Sequence, residues 1–129
     1  MPNRIRILLR CSILYISITI TISILFLSLA HIPSEFVVDI SNLDKIQHFF
    51  AYVVLTISWL ITKNVKFKKI TNSSIVIICF VFGIIIEVLQ GSITTYRSPG
   101  FLDIVANSTG IITGFILFRT FIQKNGYLI

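Results

Sequence analysis

The sequence predicts an all-α fold, an integral membrane four-helix bundle with both termini on the cytoplasmic side. Three observations predict it. The first is composition: 55% of the 129 residues are hydrophobic and 12% charged, with a mean hydropathy of +0.93. A soluble domain of this length cannot hide that much apolar surface, so lipid must be the solvent for most of it. The second is length. Four apolar windows, at residues 11–30, 46–62, 73–90 and 102–122, reach the minimum of about 17 residues that a spanning helix requires. The third is the way charge is sorted between those windows.

If the helices alternate in direction, nine bases share one side: Arg4, Arg6, Arg10, Lys63, Lys66, Lys68, Lys69, Arg119 and Lys124. Lys45 and Arg97 fall on the other side, with all five acids, Glu35, Asp39, Asp44, Glu87 and Asp103. The positive-inside rule then places the basic side in the cytoplasm. The net charge of +6 is therefore an orientation signal, compatible with contact to anionic lipid, and no nucleic-acid partner is expected. Residues 1–129 read as a single membrane domain, because no repeat, low-complexity tail or long linker divides them.

The first window follows a basic start and ends in the small residues Ser28 and Ala30, as a signal peptide would. Its apolar run exceeds the usual signal-peptide core of about 7–15 residues, so it is read as an uncleaved anchor. Cys11 begins this window and Cys79 lies in the third. Neither sits in an oxidising loop, and no disulfide is expected.

The second window is short and grows out of "DKIQHFFAYVVL" (44–55). At helical periodicity Asp44, His48, Tyr52 and Leu55 fall within roughly 80° of arc, with Lys45 beside them. "SNLD" (41–44) has the spacing of a capping box with Ser41 as the cap. Trp59 reads as an inner-interface belt residue, and "KNVKFKK" (63–69) as a cytoplasmic anchor loop.

In the third window, "GIIIEVLQ" (83–90) puts Gly83, Glu87 and Gln90 on one stripe. The helix is expected to stop near Gln90 and Gly91. It runs outward, so Glu87 would sit at its C-terminal end, where the helix dipole opposes an anion. An acid placed there needs a cation or a proton, and Arg97, Lys45 and His48 are the available partners.

The fourth window, "LDIVANSTGIITG" (102–114), aligns Asp103, Asn107, Gly110 and Gly114. Gly110 and Gly114 form a GxxxG spacing that permits close helix contact. "SPG" (98–100) reads as a turn with Pro99 near the first helical position.

All three stripes carry their polar residues at the outer end, where they would meet just below the membrane surface. Ionisable groups at such a depth are functional-site candidates. Plainer roles stand beside that reading. Asp44 and Asp103 suit helix starts, Glu87 and Arg97 suit a structural ion pair, and His48, Asn107 and Tyr52 suit packing and interhelical hydrogen bonds. His48 with Asp44, Glu87 and Asp103 has the ligand types of a divalent-metal site. However, neither HExxH nor CxxC occurs, so no metal and no cofactor is expected.

"DKIQHFFAYVVL", "GIIIEVLQ" and "RSPGFLDIVANSTGIITG" together resemble the signature segments of the VanZ-like family. That pattern is D-K-x-x-H-F followed by A-Y, then G-x-x-x-E-x-x-Q, then R with D-x-x-x-N-x-x-G. The similarity covers about residues 42–117, in order. It implies a small membrane protein of the type known for low-level resistance to teicoplanin, a glycopeptide antibiotic that acts at the outer cell surface. By motif position it singles out Asp44, Lys45, His48, Glu87, Gln90, Arg97, Asp103 and Asn107. With Tyr52 these form the candidate ligand-binding cluster.

The leading functional expectation is a non-enzymatic protein of the cytoplasmic membrane that binds a lipid-linked or cell-wall component at the outer leaflet and lowers glycopeptide access. Membrane lipid, a lipid-linked cell-wall precursor and the glycopeptide itself are its candidate partners. Lys45 and Arg97 would take a phosphate, oriented by Asp44, Glu87 and Asp103. The alternative is a membrane enzyme acting on a lipid-linked phosphate substrate. There His48 or Glu87 would be the general base, and Arg97 would stabilise developing charge; no nucleophile motif such as GxSxG is present. A transporter fits less well, since no inverted repeat is visible and the polar groups gather at one end. The ligand and the oligomeric state stay open.

A reporter fused after Lys124 is expected to map to the cytoplasm. An extracytoplasmic signal from that fusion would overturn the predicted orientation.

Overall fold

The apolar windows become four long helices. The computed structural model describes residues 3–30, 42–93 and 100–125. The helices are α1 (Asn3–Leu29), α2 (Leu43–Lys66), α3 (Asn72–Ile93) and α4 (Phe101–Leu117). A π-helical stretch, Phe118–Gln123, continues α4, and the Lys124 amide donates to the Arg119 carbonyl at 3.2 Å. Four spans are long and apolar enough to cross a membrane: Arg10–Leu29, Leu43–Lys66, Asn72–Ile93 and Phe101–Gln123. Large apolar side chains stand exposed along all of them, such as Phe26, Phe50, Ile77 and Ile116. So much exposed apolar surface is stable only against lipid.

The second helix is not short. The apolar window 46–62 counts only its middle, while the helix reaches from Leu43 to Lys66. It takes in Asp44 and Lys45 at one end and Lys63 and Lys66 at the other. Long basic side chains extend a spanning helix at little cost, because their stems lie along apolar surface while the heads reach polar surroundings. The residue at the N-cap of α2 is Asn42, without a side-chain capping bond. Ser41 itself lies outside the described residues, as do Glu35, Asp39 and Pro99. The residue at the N-cap of α4 is Gly100, so its first helical residue is Phe101.

α2 is the hub of the bundle. It touches α1, α3 and α4, and its contact with α4 is the most extensive. The glycine stripe of α4 sets that contact. A Cβ at Gly110 would collide with the Phe49 carbonyl oxygen, and one at Gly114 would lie 2.9 Å from the Val53 carbonyl oxygen. Absence of side chains at these two positions lets the backbones approach closely, the usual solution where no hydrophobic effect drives helices together. Around this seam lies the apolar core, with Tyr52, Leu55, Leu60, Ile75, Cys79, Ile111 and Phe118. Cys79 is buried there and Cys11 is exposed on α1; both are free thiols.

Polar pairs lock the helices at fixed depths. Ser17 and Thr62 share a 2.8 Å hydrogen bond between α1 and α2. The Trp59 indole N–H donates to Thr21 Oγ1 at 3.0 Å, so Trp59 joins α1 to α2. At the basic end, Lys63 is buried and donates to Asn72 Oδ1 on α3 at 3.0 Å. The opposite end gathers Asp44, His48, Glu87 and Asp103, so the bundle has one basic and one acidic end.

Gly110→Leu should force α4 off α2 and destabilise the bundle by about 1–3 kcal/mol, the usual range for overpacking. Thermal unfolding in detergent would read this. The lipid-facing substitution Ile112→Leu should leave the transition unchanged, and equal behaviour of the two variants would refute the seam.

Candidate functional site at the acidic end

Helix periodicity brings the site together. Asp44 and His48 stand one turn apart on α2, and Asp103 and Asn107 one turn apart on α4. The glycine seam below holds these two turns face to face. His48 Nδ1 and Asn107 Oδ1 are 3.0 Å apart, and both residues are buried. An amide oxygen only accepts, so Nδ1 donates, and in the neutral ring the lone pair then lies on Nε2. His48 Nε2 lies 3.8 Å from Asp44 Oδ1. One ligand atom from each of Asp44, His48 and Asp103 falls within 4.8 Å of the other two.

Glu87 enters from α3. It is 2% exposed, and neither carboxylate oxygen has a hydrogen-bond partner among the described residues. Its Oε1 stands 4.0 Å from His48 Nδ1. The position differs from expectation in one respect. α3 continues through Gln90 and Gly91 to Ile93, so Glu87 is well inside the helix. The dipole acts within about the last turn, so burial, not the dipole, is the dominant cost at Glu87. Tyr52 packs beside it in the core; the Tyr52 hydroxyl and the Asn107 amide nitrogen also lack partners among the described residues.

Other predicted site residues are placed differently. Gln90 is buried and its amide donates to the Ser28 carbonyl at 2.8 Å, which fastens α3 to the last turn of α1. Lys45 is half-buried on the first turn of α2, next to Asp44. Arg97 lies outside the described residues. One contributor was missed. Gly100 reads in sequence only as part of a turn, yet a Cβ there would collide with the Asp103 carboxylate. Its missing side chain is what lets Asp103 fold back over the start of α4.

A cavity of about 510 Å³ opens between α1 and α2 beside this cluster. Ile24, Leu27, Ile46 and Phe50 give it apolar walls, while Asp44 and His48 stand at its polar side. A chamber that is greasy along its length and polar at one end suits an amphipathic molecule.

A family model described as VanZ/LLP1 matches residues 7–122. The chain belongs to the VanZ/LLP1 family. No curated protein and no solved structure gives a significant match. The family match takes in most of α1, all of α2 to α4 and every motif residue of this VanZ-family chain.

A double-mutant cycle on His48 and Asn107 checks the central contact. Asn107→Leu alone strands a buried imidazole N–H and should cost about 1–3 kcal/mol. His48→Leu with Asn107→Leu should cost less than the two single losses summed, with a coupling of about 0.5–3 kcal/mol for residues in contact. Strict additivity in detergent unfolding would mean that the two side chains do not interact.

Proposed function

We propose that this VanZ-family protein is a multi-pass protein of the cytoplasmic membrane that binds an anionic, lipid-linked component of the cell envelope at its acidic end. That end faces outward in this reading. Binding lowers the access of teicoplanin-type glycopeptides to the surface. The observation that carries the reading is the joining of an apolar cavity to the polar cluster of half-exposed Asp44 and buried His48.

The cavity accounts for an acyl or prenyl chain, and the cluster for a headgroup. Lys45 shares a helical turn with Asp44, and Arg97 belongs to the link between α3 and α4. These two cations supply positive charge for a phosphate, Arg97 with a geometry able to hold two oxygens at once. Orientation follows from the seven bases of the opposite end, Arg10, Lys63, Lys66, Lys68, Lys69, Arg119 and Lys124, which the positive-inside rule retains in the cytoplasm.

The reading is tested by labelling cells with a fluorescent teicoplanin-type probe. Cells expressing the native protein should label less than cells lacking it. Glu87→Gln at matched protein level should restore labelling, because the substitution keeps the shape and removes the charge. Equal labelling of all three would overturn the glycopeptide part of the proposal.

A further inference from the structure

The acidic end holds more negative charge than a headgroup site for an anion would choose. Asp44, Asp103 and Glu87 converge on one imidazole, and Glu87 lies within Coulomb range of both aspartates. Like charges so close, partly withdrawn from water, favour a proton or a further cation among them. We propose that Asp44, His48 and Asp103 bind a divalent transition-metal ion, Zn²⁺ or Mn²⁺, at the mouth of the cavity.

The donor geometry fits an ion and not a hydrogen-bonded trio. His48 Nε2 and Asp44 Oδ1 stand 3.8 Å apart, too far for a hydrogen bond. On a tetrahedral ion, metal–ligand bonds of about 2.0–2.2 Å put neighbouring donors roughly 3.3–3.6 Å apart. The donor atoms lie within 4.8 Å of one another, so gathering them on one ion takes side-chain movements of up to about 1 Å, within reach of small χ adjustments. In the neutral ring that a metal selects, Nε2 is the nitrogen with the lone pair, because Nδ1 donates to Asn107 Oδ1 at 3.0 Å. Ligating histidines normally have their second nitrogen fixed in this way by a carbonyl or carboxylate.

Glu87 is the independent sign of a cation. It comes from a third helix, is 2% exposed, and brings its Oε1 to 4.0 Å from His48 Nδ1, with no side-chain hydrogen bond of its own among the described residues. With an ion held on the far side of the ring, its charge is compensated through the imidazole. Gly100 completes the arrangement, since only a residue without a side chain leaves room for Asp103 to turn toward α2. One imidazole nitrogen and two carboxylates, without thiolate, select Zn²⁺ or Mn²⁺ over softer metals, and the nitrogen ligand disfavours Ca²⁺. Three protein ligands leave a coordination position open. Asp44 and His48 both line the cavity, so that position is available to a phosphate oxygen. The metal site stands whether or not glycopeptides are involved.

The experiment uses the purified full chain in detergent micelles, loaded with ZnCl₂ or MnCl₂ and dialysed against metal-free buffer. The native protein should retain one ion per chain by elemental analysis. His48→Gln and Asp103→Asn should abolish retention, and Asn107→Leu should weaken it by about 10–100-fold, the usual effect of losing an outer-shell partner. Gly100→Ala removes no ligand and should also weaken it. The Mn²⁺-loaded native protein gives a readout that needs no variant: pulsed electron paramagnetic resonance should show coupling to an imidazole nitrogen. No retained metal, retention unchanged in the variants, or bound Mn²⁺ without nitrogen coupling would each overturn the proposal. None of these outcomes depends on teicoplanin labelling.

Discussion

The close approach of α2 and α4 governs the rest of the structure. Two positions without side chains, Gly110 and Gly114, lie against the carbonyls of Phe49 and Val53. In lipid, helices are not pressed together by the hydrophobic effect, so contact area must come from backbones that touch. Once the backbones meet there, helical geometry fixes what faces what one and two turns further along. Asn107 must meet His48, and Asp103 must come beside Asp44. The site is thus a consequence of the seam and not an independent assembly.

Polar groups hold the helices at fixed depths on both sides of that seam. Ser17 with Thr62 and Trp59 with Thr21 tie the lightly buried α1 to α2. Gln90 with the Ser28 carbonyl ties its far end to α3. Such bonds contribute only modestly in stability within a membrane, but an unmade one costs more than a made one yields. They therefore act as depth and rotation markers. Their effect on the site is direct, because α1 forms the outer wall of the cavity that opens beside Asp44 and His48.

The two ends of the bundle treat buried charge in opposite ways. At the basic end the half-dozen cations are mostly exposed, and the buried Lys63 is met by neutral amides of Asn64 and Asn72. At the acidic end Glu87 is buried with no such bonds. Across the interface the His48 ring stands 4.0 Å from it, so its desolvation is offset only in part. That asymmetry is what makes the acidic end the candidate site.

By itself the sequence determined the class of the protein, its four spans, the segregation of charge and the polar stripes. Each of these follows from composition or from the 3.6-residue period, which are local properties. The motif spacing also singled out Asp44, His48, Glu87, Asp103 and Asn107, because residues one turn apart must share a face. The tertiary structure decided how those faces meet. It extended α3 past Gly91 to Ile93 and so moved Glu87 away from the helix end. It gave Gln90 to Ser28 and Trp59 to Thr21, and it turned Gly100 from a loop residue into the space that Asp103 occupies. The physical reason is that a partner across a helix interface depends on the rotation and depth of a second helix. Those two quantities are set by the packing of the whole bundle and leave no periodic trace in either helix alone.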